Sequence, residues 1–177
     1  MRLTSQSGGG LVEVLVALVL MTVGLLGLMS AHSAALYWTV QSRQQSTAWW
    51  LAQDLGERVR ANRGRNASAQ EVGLAYVLQL DVAEQTQLPA WPVQLCQSVA
   101  SACSVAEMAA ADMAQWRAGV RQQLPQGSVW VSYSAEVQAL FITVAWQTAS
   151  ERDTLPGNCP PGLRASTMPC VTWQVAL

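Results

Sequence analysis

Residues 8–36 read GGGLVEVLVALVLMTVGLLGLMSAHSAAL, and this apolar stretch dominates the organisation of the chain. The 18 residues from Val14 to Ala31 carry no charge, close to the roughly 20 that a helix needs to cross a bilayer. No proline occurs in the stretch, so we expect an unbroken helix. The run exceeds the roughly 7–15 apolar residues of a secretory signal peptide, and no convincing small-residue cleavage site follows it promptly. We therefore expect the stretch to be retained.

Glu13 is the charged residue within this stretch. A carboxylate costs roughly 2.5–3.5 kcal/mol at the centre of a bilayer and less near an interface. Two interpretations follow from this cost. Glu13 either reaches the lipid headgroups, or it is buried beside a positive partner, which a buried carboxylate requires.

The composition excludes several classes of enzyme. The chain has 177 residues, a net charge of −1 and a charged fraction of 12%, about half that of an ordinary soluble domain. All ten basic residues are arginine, which excludes the lysine of a P-loop, a kinase or a Schiff base. The single histidine, His32, lies in the apolar stretch, so a Ser-His-Asp or Cys-His arrangement lacks its base. We predict no catalytic site, no cofactor and no general attraction to nucleic acid.

The helix is expected to continue beyond the apolar stretch, because no proline or paired glycine interrupts residues 11–62. Its second half is amphipathic, with polar and charged side chains on the face opposite an apolar stripe. Four arginines cluster near its expected end and are interpreted as complementing the helix dipole rather than binding an anion or nucleic acid. The stripe comprises Leu36, Val40, Thr47, Leu51, Leu55 and Val59, and the arginines are Arg58, Arg60, Arg63 and Arg65.

The remaining sequence predicts a second helix and an antiparallel sheet. Residues 106–124 are alanine-rich, and Ser104 with Glu107 has the spacing of a capping box. Residues 70–85 fit either a helix or a short pair of strands. Later segments alternate apolar and polar residues, as in a sheet with one packed and one more open face. These segments are residues 129–136, 140–147 and 171–177. The expected fold class is α+β, with a long N-terminal helix, transmembrane in its first half, packed on the sheet.

The tryptophans fall into two groups. We predict that Trp116, Trp130, Trp146 and Trp173 are core or helix-packing residues. Trp38, Trp49 and Trp50 fit an interfacial belt or a surface that faces a partner.

Four cysteines, Cys96, Cys103, Cys159 and Cys170, allow three disulfide connectivities. Their spacing matches no zinc ribbon, so no metal site is predicted. We favour Cys96 with Cys103 and Cys159 with Cys170, because each pair closes a short, turn-rich loop. Cross-pairing remains an alternative. Disulfides are expected if this part of the chain lies outside the inner membrane.

The string from Gly8 to Leu18 resembles the class III signal of type IV pilins and type II secretion pseudopilins. In those proteins a short basic leader ends in glycine, a prepilin peptidase cuts after it, and glutamate is the fifth mature residue. The resemblance implies cleavage between Gly8 and Gly9, N-methylation of Gly9, and neutralisation by Glu13 of the N-terminal amine of a neighbouring subunit. Phenylalanine usually follows the cut, whereas glycine stands here. Because three glycines are consecutive, a cut after Gly9 or Gly10, which would make Glu13 the fourth or third mature residue, remains an alternative.

Two further segments resemble the PilV family of type IV pilus modification proteins, which are minor pilins. They are AWWLAQDLGERVRAN at 48–62 and CSVAEMAAADMAQWRAGVRQQLP at 103–125. The resemblance implies a pilin-like fold with a leader at 1–8, a transmembrane or fibre-core helix segment at 9–36, and an amphipathic helix with a head domain at 37–177.

The same resemblance implies a structural subunit that helps to prime pilus assembly within a minor-pilin complex near the tip. Before assembly the chain would lie in the bacterial inner membrane with its head in the periplasm. Its partners would be other minor pilins and the major pilin, contacted through the N-terminal helix, with prepilin peptidase as the processing enzyme.

Two alternatives remain. A minor pseudopilin of a type II secretion system carries the same N-terminal signal and is distinguished by neighbouring genes rather than by residues. A membrane-anchored periplasmic binding module that never enters a fibre would keep its leader and tolerate Glu13→Ala.

Overall fold

The computed structural model describes residues 9–64, 67–80, 82–86, 96, 103–148, 159–163 and 168–177. The chain divides into two compact units, Met1–Ser42 and Arg43–Leu177. The predicted leader at 1–8 lies outside the described residues. Within the described ranges the helices are α1 (Gly9–Asn62), α2 (Ala69–Ala75) and α3 (Val105–Gln123), and the strands are β1 (Ser128–Ser134), β2 (Ala139–Ala145) and β3 (Cys170–Ala176).

The first unit contains the N-terminal part of α1, which is an uninterrupted helix as predicted. Its hydroxyl side chains donate hydrogen bonds to carbonyl oxygens three or four residues earlier. Ser33 Oγ, for example, donates to the Met29 carbonyl oxygen at 2.9 Å. Such bonds satisfy a polar donor without water, which apolar surroundings demand. Thr22, Ser30 and Thr39 bond in the same way.

The second unit contains a three-stranded antiparallel sheet in the order β1-β2-β3. Ser128 pairs with Ala145 and Ala139 pairs with Ala176, so β2 is central. The strands begin and end within two residues of the predicted segments. The α+β fold class predicted from the sequence is therefore confirmed.

The second half of α1 belongs to the core of this unit. A Cβ built on Gly56 would lie 2.9 Å from Val175 Cγ2 in β3, so the absence of a side chain permits the close approach of helix and strand. The predicted apolar stripe is buried only in its later part, because periodicity alone does not distinguish core residues from residues of the first unit. Its buried members are Leu51, Leu55 and Val59, joined by Ala48 and Ala52, whereas Leu36 and Val40 are each 55% exposed.

The predicted capping box begins α3. Ser104 Oγ accepts a hydrogen bond from the Glu107 N–H at 3.3 Å, and Glu107 Oε2 accepts one from the Ser104 N–H at 2.8 Å. These bonds, the backbone one above all, hold the pKa of Glu107 below its usual value. Further along α3, the buried indole of Trp116 donates to the Leu51 carbonyl oxygen at 2.8 Å and thereby ties α3 to α1.

Residues 69–86 contain the helix that the sequence allowed, whereas the alternative short pair of strands is not formed among their described residues. Helix α2 begins after Ser68, whose Oγ accepts a hydrogen bond from the Glu71 N–H at 3.1 Å. Leu78 then forms an antiparallel bridge with Val131, with N–H to carbonyl distances of 2.9 and 2.8 Å. The segment thus contributes a helix and a single strand-like contact on the outer edge of β1.

Gln85 extends this cover of the β1 edge. Its buried side-chain Oε1 accepts a hydrogen bond from the Val129 N–H at 2.8 Å, and its Nε2 donates to the Val129 carbonyl oxygen at 2.9 Å. The amide therefore satisfies a backbone pair that a neighbouring strand would otherwise satisfy.

The outer face of the sheet is partly covered. Ala145, Leu163 and Met168 form a small second core, against which Trp130 packs. Thr172 and Gln174 in β3 remain exposed. The prediction of a more open face is correct at β3. It is wrong near Ala145, because Leu163 and Met168 cover that end of β2.

The four tryptophans predicted as core or helix-packing residues all pack within the second unit. Trp116 and Trp146 are buried, whereas Trp130 and Trp173 are half-buried. Trp173 contacts Trp49 edge to face with ring centroids 6.0 Å apart, so Trp49 takes part in packing within the second unit.

Candidate functional site

The first candidate surface is the apolar part of α1 in the first unit. The described part of the chain contains one helix long and apolar enough to span a membrane by length and composition, with a mean hydropathy of 2.6 over its most apolar window. That window is fully uncovered, and exposed apolar surface of this extent is typical of a membrane or protein contact. Large side chains such as Leu11, Leu20 and Leu28 are each more than 65% exposed.

Glu13 lies on this surface. It is exposed, it belongs to the second turn of α1, and it makes no ion pair or hydrogen bond within the described residues. Gly9 is the first residue of α1, whereas Gly8 lies outside the described residues. At a rise of about 1.5 Å per residue, an amine at Gly9 would lie about 6 Å from Glu13 along the helix axis. His32 is also exposed on α1.

A second cluster of polar side chains joins α1, α2 and α3. Tyr76, at the end of α2, donates from its hydroxyl to Asp112 Oδ2 in α3 at 2.6 Å. Asn62, at the end of α1, donates from Nδ2 to the Tyr76 hydroxyl at 3.1 Å and to the Val105 carbonyl oxygen at 3.0 Å. Burial, and then the bond to Asp112, raise the pKa of Tyr76 well above its usual value, so the hydroxyl keeps its proton.

Arg58 connects this cluster to α1. Its Nε lies 3.0 Å from Asp54 Oδ2, its Nη1 donates to Gln115 Oε1 at 2.9 Å, and the same Nη1 lies 3.5 Å from Asp112 Oδ1. The Arg58 side chain is only 27% exposed. The interpretation of the arginine cluster as complementing the helix dipole is therefore incomplete, because Arg58 bridges two helices while Arg60 pairs with Glu57 on the surface. Arg65 lies outside the described residues.

These polar contacts hold elements together and offer no reactive group. The Tyr76 hydroxyl bonds to Asp112 and Asn62, and the Nε and Nη1 atoms of Arg58 contact other protein side chains, so we interpret the cluster as structural. Sequence reasoning missed Tyr76 and Asp112. The available indication was an acidic residue at 112, directly beside Met113 in the alanine-rich segment 106–124.

Two disulfides are present. Cys96 is bonded to Cys103 and Cys159 to Cys170, with Cα atoms 6.0 and 5.9 Å apart. These are the local pairs that the sequence favoured. The second bond anchors the start of β3 to the turn Pro161–Leu163, whose Leu163 belongs to the second core. Among the described residues, no group of three or more histidine, cysteine or acidic side chains is placed to hold a metal ion.

A long apolar N-terminal helix, followed by a small antiparallel sheet, defines a pilin-like α+β protein. Residues 32–114, just under half of the chain, match the Tt1218-like family model, described as type IV pilin Tt1218. The match supports a type IV pilin, which is a structural subunit and not an enzyme. The matched range includes Arg58, Tyr76 and Asp112. Comparison with curated proteins and with solved structures gave no match.

Proposed function

We propose that this chain is a minor pilin of the PilV type, a structural subunit that helps to prime type IV pilus assembly within a complex near the tip. The observation that carries the proposal is that α1 belongs to both units of the chain. One helix begins at Gly9, exposes an apolar surface that carries Glu13, and supplies Leu51, Leu55 and Val59 to the core of the second unit. The match of residues 32–114 to a type IV pilin model supports it.

Processing would create the assembly end of this helix. Removal of residues 1–8 by prepilin peptidase, a cut between Gly8 and Gly9, leaves an amine at the first residue of α1, which is then N-methylated. In a bundle of such helices Glu13 would be withdrawn from water, and a carboxylate in that position is stabilised only beside a positive charge. The amine of a neighbouring subunit supplies this charge, and the pairing sets the axial register of the helix.

The proposed location in the cell is based on the two segments of the chain, residues 9–36 and residues 37–177. Residues 9–36 would anchor the chain in the inner membrane before assembly and then enter the fibre core. Residues 37–177 would form the amphipathic helix and the periplasmic head, where the oxidising compartment preserves both disulfides. The other minor pilins and the major pilin are the proposed partners.

Coexpression with active prepilin peptidase tests the processing step. We expect the intact mass to lack residues 1–8 and to include one methyl group, with four hydrogens lost relative to the reduced chain. A chain that keeps its leader would contradict the proposal and favour a membrane-anchored binding module. A minor pseudopilin would be processed identically, so a second assay must measure pili.

Complementation of a strain lacking this chain provides that assay. We expect Glu13→Ala to be processed and inserted normally but to restore few surface pili, because the carboxylate partner of the amine is missing. Glu136→Ala is the matched control, since Glu136 is exposed in the β1–β2 turn. Full piliation with Glu13→Ala, or normal piliation without this chain, would contradict a role in pilus assembly.

A further inference from the structure

A groove lies between α1 and α3 in the second unit, apart from the apolar surface of the first unit and from both disulfides. Its volume is about 330 Å³, and small-molecule sites span about 300–1,000 Å³. The lining combines buried Leu51 and Trp116 with exposed Trp50, Gln122 and Gln123. The groove is therefore large enough by volume to hold one small ring, and its exposed lining residues leave it open to solvent.

Gly119, which also lines the groove, is not explained by the fold. A glycine within a helix costs about 0.5–1 kcal/mol relative to alanine. A Cβ built on Gly119 would meet a single atom within 4 Å, Gln123 Nε2 at 3.8 Å, which is an ordinary contact. Alanine would thus fit and favour the helix, in contrast to Gly56, where a Cβ would lie 2.9 Å from Val175. The glycine leaves room for another molecule against the backbone of α3.

The side chains around this space define the chemistry of the occupant. Trp50 is 60% exposed and offers an indole surface at the rim. The side-chain amides of Gln122 and Gln123 make no hydrogen bond within the described part of the chain, so each retains donors and an acceptor. Asp54 and Arg58, which also line the groove, form an ion pair at 3.0 Å and compensate each other's charge. The groove is consequently neutral, aromatic on one side and rich in amides on the other.

We propose that this groove binds a neutral hexose, either free or as a unit of a polysaccharide. A pyranose ring has an apolar C–H face that packs on an indole, and its hydroxyl groups both donate to and accept from side-chain amides. The proposal does not depend on pilus assembly, because it concerns the isolated chain.

The direct test uses the full chain in a zwitterionic detergent without a sugar headgroup. Indole N–H resonances of ¹⁵N-tryptophan-labelled protein are followed during titration with the methyl glycosides of glucose, galactose, mannose and N-acetylglucosamine. Trp50→Phe assigns the Trp50 resonance. We expect at least one glycoside to shift it saturably, with a dissociation constant on the order of millimolar, as is usual for so small a ligand. Sorbitol, which has no ring, should cause no such shift.

Trp50→Ala and Gly119→Ala locate the binding, and Val137→Ala is the control. Trp50→Ala should weaken it at least tenfold, whereas Val137→Ala, another exposed apolar residue, should leave it unchanged. Gly119→Ala should weaken binding at least tenfold and at the same time raise the midpoint of thermal unfolding. That opposite pair of effects separates occlusion of the groove from damage to the fold.

Three results would overturn the proposal. The first is that none of the four glycosides shifts the Trp50 resonance at concentrations well above the millimolar range. The second is that Trp50→Ala or Gly119→Ala binds as tightly as the parent chain. The third is that the parent chain binds no sugar while Gly119→Ala reduces piliation, which would assign the groove to a contact between subunits. If sugars bind as expected, comparing monosaccharide with oligosaccharide affinity distinguishes a free sugar from a polysaccharide.

Discussion

The Tyr76 hydroxyl lies 2.6 Å from Asp112 Oδ2, and this hydrogen bond joins the end of α2 to the middle of α3. Asn62, at the end of α1, donates to the same hydroxyl at 3.1 Å. Three helices are therefore fixed at one phenolic oxygen. A buried polar cluster of this kind stabilises the fold only while every member has its partner, because an orphaned polar atom keeps its cost of desolvation.

Loss of that oxygen should destabilise the second unit. We expect Tyr76→Phe to lower the free energy of unfolding by about 1–3 kcal/mol, since Asp112 and Asn62 each lose a partner. Asp112→Asn should cost a similar amount, and the double variant should cost less than the sum because both changes remove one interaction. Denaturant unfolding of the full chain in detergent measures these values. Strict additivity would show that Tyr76 and Asp112 are not coupled.

The raised pKa of Tyr76 predicts a loss of stability at alkaline pH. In the unfolded chain the phenol ionises near its ordinary pKa of about 10, whereas burial and the bond to Asp112 keep it protonated in the folded chain. The stabilisation is complete below pH 10 and declines as the pH rises above it, because the unfolded state then releases a proton that the folded state retains.

Unfolding measured between pH 8 and about 11.5 tests this linkage. Tyr76→Phe should show a flatter decline than the parent chain over the alkaline part of the range. Tyr133→Phe is the control, because no hydrogen bond to the Tyr133 hydroxyl occurs within the described residues. Equal slopes for the parent and Tyr76→Phe would contradict the assignment.

Gly73 in α2 should tolerate no side chain. A Cβ built there would overlap the ring of Tyr133 in β1, so Gly73→Ala should lower the free energy of unfolding by about 1–3 kcal/mol. Combining it with Tyr133→Ser removes the ring and should make the alanine nearly neutral in that background. Gly119→Ala is the matched helical control and should not destabilise, since its Cβ meets only ordinary contacts. An unchanged midpoint for Gly73→Ala would contradict the close packing of α2 on β1.

The side chain of Gln85 should be required to satisfy the backbone of Val129 at the outer edge of β1. Gln85→Leu keeps most of the volume but leaves the Val129 N–H and carbonyl without their side-chain partners, at an expected cost of about 2–4 kcal/mol. Hydrogen exchange provides a local measurement, in which the Val129 amide should exchange faster than in the parent chain. Gln53→Leu, at an exposed position of α1, should change neither quantity. An unaltered Val129 amide would exclude the proposed hydrogen bond.

The sequence predicts best what repeats along the chain. The apolar run of α1, the alternation within the three strands and the Ser104–Glu107 cap all depend on near neighbours, and each has a spacing that sequence reveals. Tyr76 and Asp112 are 36 residues apart, and their pairing leaves no periodic pattern. The role of Gln85 could not be predicted for the same reason. Its side-chain amide bonds to the Val129 backbone as a neighbouring strand would, but no alternation of apolar and polar residues surrounds it.

The two candidate surfaces differ in the same way: the apolar surface of α1 is evident from the sequence, and the groove between α1 and α3 is not. Glu13 is conspicuous because it interrupts an apolar run, so the sequence alone draws attention to it. Gly119 is recognised as unusual only from the structure, which shows that a Cβ would fit there without a close contact. The sequence does not distinguish Gly56, which the packing of α1 on β3 requires, from Gly119, which lines the groove. Only the contacts that a Cβ would make at each position distinguish the two.

The contact between Gly56 and Val175 has a consequence for the order of biosynthesis. The two residues are 119 positions apart, so the apolar side of α1 is made long before the strand that covers it. At about 5–20 residues per second, that interval lasts roughly 6–24 s. During this time Leu51, Leu55 and Val59 lack the last layer of their core. A newly made chain therefore stays exposed to proteolysis and to misassociation until β3 has been synthesised.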